Sequence, residues 1–322
     1  MLFGIILITF ITSRVIPSDP AAKWAGPRAT PEQIELARSE LGFDDPYPVQ
    51  FVNYVVRIVH GDLGKSLRTH SSVADELKIF VPATVELVLL ATVIAFIIGI
   101  PLGLYSARYK NSLIDHFSRF FAIGAVSLPG FWVALGLQLI FYCHLGWFPV
   151  GGRVSVITSL MYELPNITGM LVFDSFITGN WYIFKDAAWH IVLPVVVLSL
   201  YPIGLVTRMT RSALLEILNE DYITAARSYG LSERLILGVY ALRNSLGPTI
   251  TAITLSTGYT LVSTFLVESI FGWPGMGNYL ATAIIALDYP AIMGVTIFSA
   301  VSYLFLNLIA DIIVSLDPRV RL

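Results

Sequence analysis

The sequence has few charged residues for its length, and this shortage excludes an ordinary soluble protein. Only 13% of the 322 residues are Asp, Glu, Lys or Arg, whereas 56% are hydrophobic and the mean hydropathy is +0.74. A soluble chain carries about a quarter charged residues. Because the apolar residues stand in long runs, a membrane explains them better than one oversized core. The composition predicts a protein that crosses a membrane several times.

Cysteine, clustered histidine and a strong net charge are also missing. Cys143 is the only cysteine, so no disulfide can form within the chain and a cysteine-based metal site is not expected. The five histidines are scattered without the spacing of metal ligands. Twenty basic and 22 acidic residues give a net charge of −2, which provides no general attraction for nucleic acid. We expect no bound metal and no nucleic-acid partner.

Sequence motifs of catalytic sites are absent as well. The chain contains neither the His-Glu-x-x-His pattern of metalloproteases nor a Gly-x-Ser-x-Gly elbow. The stretch HGDLGKSL at His60–Leu67 ends like a nucleotide-binding loop, but that loop requires a glycine where Val59 stands. We interpret this stretch as a turn, and we predict that the chain is not an enzyme.

Six apolar segments approach or exceed the ~20 residues that a bilayer-crossing helix needs. The first segment is short, and its alternative interpretation as a signal peptide lacks a charged start and a small-residue cleavage site. The sequence therefore predicts an all-α, polytopic membrane protein with six transmembrane helices. The segments are 1–16, 81–105, 120–142, 188–206, 249–267 and 292–315.

Basic residues indicate the orientation, because Lys and Arg accumulate in short cytoplasmic loops. Ten of them lie between spans two and three, between spans four and five, and after span six, whereas the two short opposite loops hold only Arg153 and Lys185. We expect both termini in the cytoplasm. The predicted organisation is a first span at 1–16, an external segment with short helices at 17–80 and a five-span core at 81–322, with a cytoplasmic loop at 208–247 and external loops at 144–187 and 268–291.

The external segment contains signals for two short helices. Thr30 and Gln33 have the spacing of a capping box, which predicts a helix from residue 30 to 41. A second, amphipathic helix is predicted at residues 48–59.

The cytoplasmic loop contains the stretch DYITAARSYGLSER at 221–234, which is polar and rich in small residues. Asp221 is predicted to cap a short helix that ends at Gly230 in a left-handed conformation. Ser232 is predicted to cap a second helix over Glu233–Leu242, and Pro248 is predicted to begin span five.

Small side chains in this stretch favour contact with another protein. Ala225 and Ala226 would allow a partner to approach the main chain closely, while Arg227 and Arg234 would supply charges at the rim. The alternative is a solvated loop, but such a loop has no need for two caps and a helix stop in this order. We therefore predict a docking surface with two short helices.

This stretch resembles the coupling motif of ABC importer permeases, in which two alanines are followed after three residues by glycine. Further segments are similar to the dipeptide/oligopeptide/nickel group of these permeases, and the resemblance covers essentially the whole chain. Thr224 stands where the general motif has glutamate, so a role of that glutamate does not transfer. The similar segments are IPSDPA, GDLGKS, ESIFGWPGMG, DYPAIMG and DPRVRL.

The resemblance implies a type I importer fold in which two permeases form a pore and two cytoplasmic ATPases dock beneath it. An external solute-binding protein delivers the solute, the second permease is expected to be non-identical, and ATP and Mg²⁺ are bound by the ATPases, so this chain needs no cofactor. Short peptides are the expected solute, with oligosaccharides or nickel as alternatives and a self-sufficient channel as a different class. The implied ATPase-coupling residues are Asp221, Tyr222, Thr224, Ala225, Ala226, Arg227, Gly230, Leu231 and Ser232.

Two groups of residues are candidates for the translocation path. Proline and glycine interrupt span three, where they predict a bend or a cavity. A polar stripe at helical spacing in span five fits pore lining or interhelical packing, and the resemblance favours lining. The candidates are Ser127, Pro129, Gly130, Ser256, Tyr259 and Ser263.

The stretch after span five requires an irregular, tight loop, and the resemblance suggests an external gate or scaffold. Glu86 and Glu268 are acids near the expected external face, where structural anchoring and a functional role are both open. The candidate gate residues are Glu268, Gly272, Pro274 and Gly275.

Overall fold

The computed structural model describes residues 2–15, 20–26, 29–40, 42 and 44–315, and no β-strand occurs among them. Two π-helical segments, Gln138–His144 and Ile236–Ala241, continue α7 and α12. The helices are α1 (Leu2–Val15), α2 (Pro20–Ala25), α3 (Pro31–Glu40), α4 (Tyr47–Val59), α5 (Val73–Arg108), α6 (Leu113–Ser127), α7 (Gly130–Leu137), α8 (Val156–Met161), α9 (Leu171–Ile177), α10 (Trp181–Ile217), α11 (Asp221–Ser228), α12 (Glu233–Leu235), α13 (Leu242–Ile270), α14 (Met276–Ala286) and α15 (Tyr289–Ser315).

Four helical runs among the described residues are long and apolar enough to cross a membrane. They are α5, α10, the run Glu233–Ile270 and Tyr289–Ile313 within α15. The bent pair of α6 and the run Gly130–His144 forms a fifth if it is counted as one span, and Leu2–Thr12 is a shorter apolar helix. The all-α, polytopic fold is therefore confirmed, with four or five spans of this length.

The third predicted span is bent, as the proline and glycine within it predicted. The chain bends by 102° where α6 meets the helix that follows it. Pro129 lacks a main-chain N–H, and the residue before a proline is disfavoured in the helical conformation. Leu128 accordingly adopts φ −80° and ψ 129°, which ends α6.

The prediction that Pro248 begins span five is wrong. Pro248 lies inside α13, and α12 continues through the π-helical segment Ile236–Ala241 into α13 without a break. The expected separate helix Glu233–Leu242 is therefore the first part of the run Glu233–Ile270. Proline is tolerated in such helices because neighbouring groups and local π-helical adjustments satisfy the freed carbonyls.

The chain divides into two compact units, of which the first comprises Met1–Pro82 and Gly275–Ser302. Within it, the predicted capping box begins α3, since Thr30 N donates to Gln33 Oε1 and Gln33 N donates to Thr30 Oγ1. The loop that contains HGDLGKSL is the predicted turn, with Gly64 at φ +86°. The carboxylate of Asp288 accepts a hydrogen bond from the main-chain N–H of Leu67 at 3.0 Å. This bond joins the loop to the Gly275–Ser302 part of the same unit.

The second unit comprises Ala83–Pro274 and Tyr303–Leu322, and most side chains in the apolar part of α10 are buried. Helix α5 approaches α10 closely at Gly99 and Gly103. A Cβ atom added to Gly103 would lie 2.8 Å from the carbonyl oxygen of Thr207. A Cβ added to Gly204 of α10 would lie 2.7 Å from the carbonyl oxygen of Ala122 on α6. Small residues permit such approaches of helix backbones within membranes.

This packing predicts opposite effects for two alanine substitutions in helices. Gly103→Ala forces a Cβ against the main chain of α10, and we expect a loss of about 1–3 kcal/mol of stability. Gly136→Ala in α7 meets no atom within 4 Å, so it should be neutral or gain up to about 1 kcal/mol from helix propensity. The check is the midpoint of thermal unfolding in detergent. Equal midpoints for the two variants would contradict the close contact.

Candidate functional site

Helix α11 is the first of the two short helices predicted from DYITAARSYGLSER, and it ends as expected. Gly230 has φ +78°, in the left-handed region that glycine adopts most readily. Its N–H donates to the carbonyl of Arg227 at 2.9 Å, and the N–H of Leu231 donates to the carbonyl of Ala226 at 3.2 Å. These two bonds form a Schellman motif, which satisfies carbonyls at the end of the helix.

The start of each short helix differs in detail from the sequence prediction. Glu220 occupies the N-cap position without a side-chain capping bond, and Asp221 is the first helical residue. Its carboxylate still suits the positive end of the helix dipole. Ser232 is the N-cap of α12, but its carbonyl rather than its hydroxyl accepts the N–H of Ile236. The predicted cap at Asp221 is therefore wrong by one position, whereas Ser232 is the N-cap of its helix as predicted, without a side-chain bond.

Helix α11 has one face packed against its own chain. Ile223 and Ala226 are buried in a cluster with Ala107 of α5 and Leu214 of α10. The adjacent position, Ala225, is exposed. The two alanines of the motif thus have different surroundings, since Ala226 belongs to this cluster and Ala225 is exposed.

The exposed face also carries Tyr222, Thr224, Arg227 and Tyr229. Arg227 Nε lies 2.9 Å from Glu233 Oε1, across the turn between α11 and α12. An exposed pair of this kind contributes about 0–1 kcal/mol, so its clearest effect is to restrain the turn. Tyr222 accepts a hydrogen bond from Asn244 Nδ2 at 2.6 Å, which ties α11 to α13.

A cavity of about 300 Å³ lies beside the break between α6 and α7. Five of the six candidate path residues line it, together with residues of α10 and α13. Ser256 does not, because it is 1% exposed and donates to the carbonyl of Ile253. Among the described residues that line this cavity none is charged, so they offer a neutral surface. The five lining candidates are Ser127, Pro129, Gly130, Tyr259 and Ser263.

Sequence reasoning did not identify Tyr201 of α10 as a cavity residue. Its ring lies 4.7 Å from the ring of Tyr259, measured between centroids, and both rings line the cavity. Aromatic pairs at this separation attract each other beyond their shared burial. No local signal in the sequence pairs these two residues, which are far apart in the chain.

The segment that follows α13 is firmly packed. Glu268 is fully buried and accepts a hydrogen bond from Thr84 Oγ1 at 2.6 Å. Trp273 is buried and donates from Nε1 to the carbonyl of Ala83 at 3.0 Å. Of the other gate candidates, Gly272 has φ +55°, Pro274 is exposed, and Gly275 is the N-cap of α14.

Glu86 anchors the 144–187 segment to α5, which is the structural role that the sequence left open. Its Oε2 lies 2.7 Å from Arg153 Nη2, and its Oε1 accepts the N–H of Val172 at 2.6 Å. The guanidinium of Arg153 also lies 5.6 Å from the ring centroid of Trp273. Removing one partner of a buried ion pair leaves the other charge uncompensated, so Glu86 and Arg153 each require the other for stability.

A second carboxylate shapes the 144–187 segment from within. Asp174 is fully buried and accepts hydrogen bonds from Thr168 Oγ1 at 2.7 Å and from the N–H groups of Ile167 and Gly169 at 3.0 Å. Burial raises the pKa of this carboxyl, but the hydrogen bonds from Thr168, Ile167 and Gly169 outweigh burial and leave the pKa below its ordinary value. The ionised form therefore stabilises the loop.

Two family models of membrane transport components match the chain. Residues 99–322 match the family described as binding-protein-dependent transport system inner membrane component, and residues 1–88 match the N-terminal family of such components. The chain therefore belongs to the family of binding-protein-dependent transport system inner membrane components, and it is a multi-pass protein of the cell membrane.

Relatives of similar length support this assignment. The chain is 43% identical to the probable D,D-dipeptide transport system permease protein DdpB of Escherichia coli K12, over 98% of this chain and 93% of that protein. It is 37% identical to the dipeptide transport system permease protein DppB of Alkalihalophilus pseudofirmus, over 100% of this chain and 96% of that protein. It is 38% identical to the di/tripeptide transport system permease protein DppB of Pseudomonas aeruginosa, over 99% of this chain and 94% of that protein.

A solved structure has the same fold. A chain of the MetNI methionine ABC transporter in inward-facing conformations aligns with a TM-score of 0.52 and 16% identity, over 72% of this chain and 92% of that chain. Family and fold together imply ATPase partners and a permease partner in general terms.

Replacing Asp174 tests the loop that it shapes. Asp174→Asn leaves main-chain N–H groups without their charged acceptor, and we expect a loss of about 1–3 kcal/mol in the opening free energy of this loop at pH 7. Because the folded pKa is lowered, the advantage of the wild type is complete above about pH 4 and shrinks as the pH falls further. Hydrogen exchange at Ile167 and Gly169 is the measurement.

The matched control is Glu163→Gln, which removes an exposed carboxylate from the same segment. Exchange at Ile167 and Gly169 should not change in this control. An equal effect of both substitutions would contradict the role of the Asp174 carboxylate.

Proposed function

We propose that the chain is a permease subunit of an ATP-driven importer and forms half of the pathway for short peptides. The names of the relatives, which include D,D-dipeptide, dipeptide and di/tripeptide permeases, support this solute class. Their similarity extends over nearly the whole chain. An external solute-binding protein delivers the peptide, and the second permease is non-identical.

In the proposed orientation α1 is a sixth span, both termini are cytoplasmic, and the 17–80, 144–187 and 268–291 segments are external. The excess of basic residues on the side of α11 supports this topology. ATP and Mg²⁺ are bound by the partner ATPases. Oligosaccharides and nickel are less favoured than peptides, because no relative reported above is named for either and the described residues contain no cluster of metal-ligating side chains.

The two faces of α11 are the observation that carries the coupling mechanism. Its buried face, with Ile223 and Ala226, packs against the ends of α5 and α10. Its exposed face, centred on Ala225, fits a groove of an ATPase, since a methyl group permits close approach of the two main chains. When the ATPases close on ATP, they displace α11, and the buried face carries this displacement to the membrane helices.

The cavity beside the α6–α7 break is the proposed part of the path in this chain. Its uncharged lining and its aromatic pair, Tyr201 and Tyr259, suit solutes with varied side chains. The break leaves carbonyls of α6 without main-chain donors, because Pro129 has no N–H. Irregular backbone at membrane depth is tolerated where it is buried or lines a hydrated space.

Tryptophan substitutions at the two alanines separate docking from folding. Ala225→Trp should reduce ATPase co-purification and peptide-stimulated ATP hydrolysis by about tenfold or more, with thermal stability retained, because the bulk is added to an exposed docking face. Ala226→Trp should lower the thermal unfolding midpoint of the permease itself, because it is forced into a packed cluster. Binding, hydrolysis and unfolding are measured on the same preparations.

Unchanged co-purification and unchanged ATP-driven uptake in Ala225→Trp would reject the docking role. Uptake in vesicles also tests the solute class, with a labelled dipeptide, a labelled maltooligosaccharide and ⁶³Ni²⁺ compared directly. Dipeptide flux through the permease alone, without ATPases or ATP, would instead identify a self-sufficient channel.

A further inference from the structure

A buried carboxylate connects three helices at one end of the second unit. Asp115, near the start of α6, is fully buried. Its Oδ1 accepts hydrogen bonds from Ser106 Oγ of α5 at 2.6 Å and from Arg211 Nε of α10 at 2.7 Å. Its Oδ2 accepts from Arg211 Nη2 at 3.0 Å and from the N–H of Asn111 at 2.9 Å. Both oxygens therefore have two donors.

The arrangement has the geometry of a strong, directional ion pair. Arginine in a two-bond fork with a carboxylate fixes orientation as well as distance. Asn111, in the turn between α5 and α6, has φ +64°, which is uncommon for a residue other than glycine. Because Asp115 accepts the N–H of this residue, the same carboxylate holds the turn in its unusual conformation and binds it to α10.

This ion pair lies directly beside the cluster that holds α11. Ala107 follows Ser106 in α5, and Leu214 lies one helical turn after Arg211 in α10. Ala107 and Leu214 are both members of the cluster that buries Ile223 and Ala226. The ion pair and the apolar contact with α11 thus occupy neighbouring positions on the same two helices.

We propose that Asp115 and Arg211 are positioning residues that make α5, α6 and α10 respond to a displacement of α11 as one body. The inference rests on the proposed function of α11 as the contact with the ATPases. An apolar cluster resists separation of helices but permits sliding, because its contacts have little directionality. The forked ion pair supplies the missing directional restraint. Without it, movement of α11 is absorbed at the helix ends and ATP hydrolysis is no longer fully converted into transport.

The test compares charge-conserving substitutions in the complete transporter, reconstituted in proteoliposomes with its binding protein and a radiolabelled dipeptide. Arg211→Lys keeps the charge but loses the fork. Arg119→Lys is the matched control, because Arg119 Nε lies 3.6 Å from Asp115 Oδ1 and its side chain is 43% exposed. The measured quantity is the number of dipeptides imported per ATP hydrolysed. We expect a decrease of between about twofold and thirtyfold in Arg211→Lys, and no change in the control.

Asp115→Asn serves as the second variant and should lower the same ratio. A residue that only stabilises the fold would reduce yield and the unfolding midpoint but leave the ratio of the assembled protein unchanged. An unchanged ratio in assembled Arg211→Lys would therefore overturn the proposal, even if Asp115→Asn fails to assemble.

A readout that needs no solute separates this inference from the peptide assignment. Spin labels at Phe117→Cys in α6 and Ser212→Cys in α10, with Cys143→Ser, report whether the two helices move together; Phe117 and Ser212 are both exposed. On trapping of the ATPases with vanadate, their separation should stay constant in the otherwise wild-type protein and change in Arg211→Lys. An equally constant separation in both proteins would overturn the inference. If the wild type imports no dipeptide, the peptide assignment fails while this result still stands.

Discussion

The close approach of α5 and α10 is the contact on which the second unit depends. Gly99 and Gly103 lie one turn apart on α5, and an added Cβ at either position would collide with α10. The hydroxyl of Thr207 donates to the carbonyl of Gly99 at 3.3 Å within this contact. Helices in a membrane gain little from the hydrophobic effect, so close packing and hydrogen bonds between them determine the arrangement.

The next turns of the same two helices carry the features on which the proposed function rests. Ser106 and Arg211 bind Asp115, and the adjacent Ala107 and Leu214 pack against α11. A short helix of eight residues is marginal by itself in water. Helix α11 therefore depends on this packing for its position, which leaves its other face available to a partner. The proposed transmission of movement follows from the continuity between the glycine contact, the ion pair and the apolar cluster.

The sequence predicted those parts of the structure that have local causes. Long apolar runs located the membrane helices, Pro129 marked the break in span three, and Gly230 marked the end of α11. Local signals located helix starts less accurately, because more than one residue can begin a helix. Glu220 and Asp221 are both acidic and adjacent at a helix start, and Pro248 lies inside α13 although proline usually marks a helix start.

Features that join distant parts of the chain were not predictable from one sequence. Ser256, Tyr259 and Ser263 share a helical stripe, but spacing cannot tell which member a neighbouring helix covers, and Ser256 is the buried one. Asp115 and Arg211 are 96 positions apart, so no local pattern connects them. Arg211 counted only as one of the basic residues that indicate orientation, whereas in the structure it forms an ion pair with Asp115.

The most direct measurement is the reaction rate of single cysteines at the two motif alanines with a maleimide, with and without the ATPases. The background is Cys143→Ser, since Cys143 is exposed. The two faces of α11 predict that Ala225→Cys reacts readily in the free permease and slowly in the complex, whereas Ala226→Cys reacts slowly in both. Ile285→Cys, at a position that is 85% exposed, should keep its rate. Equal rates at Ala225→Cys with and without ATPases would contradict the assignment of this face to the ATPases.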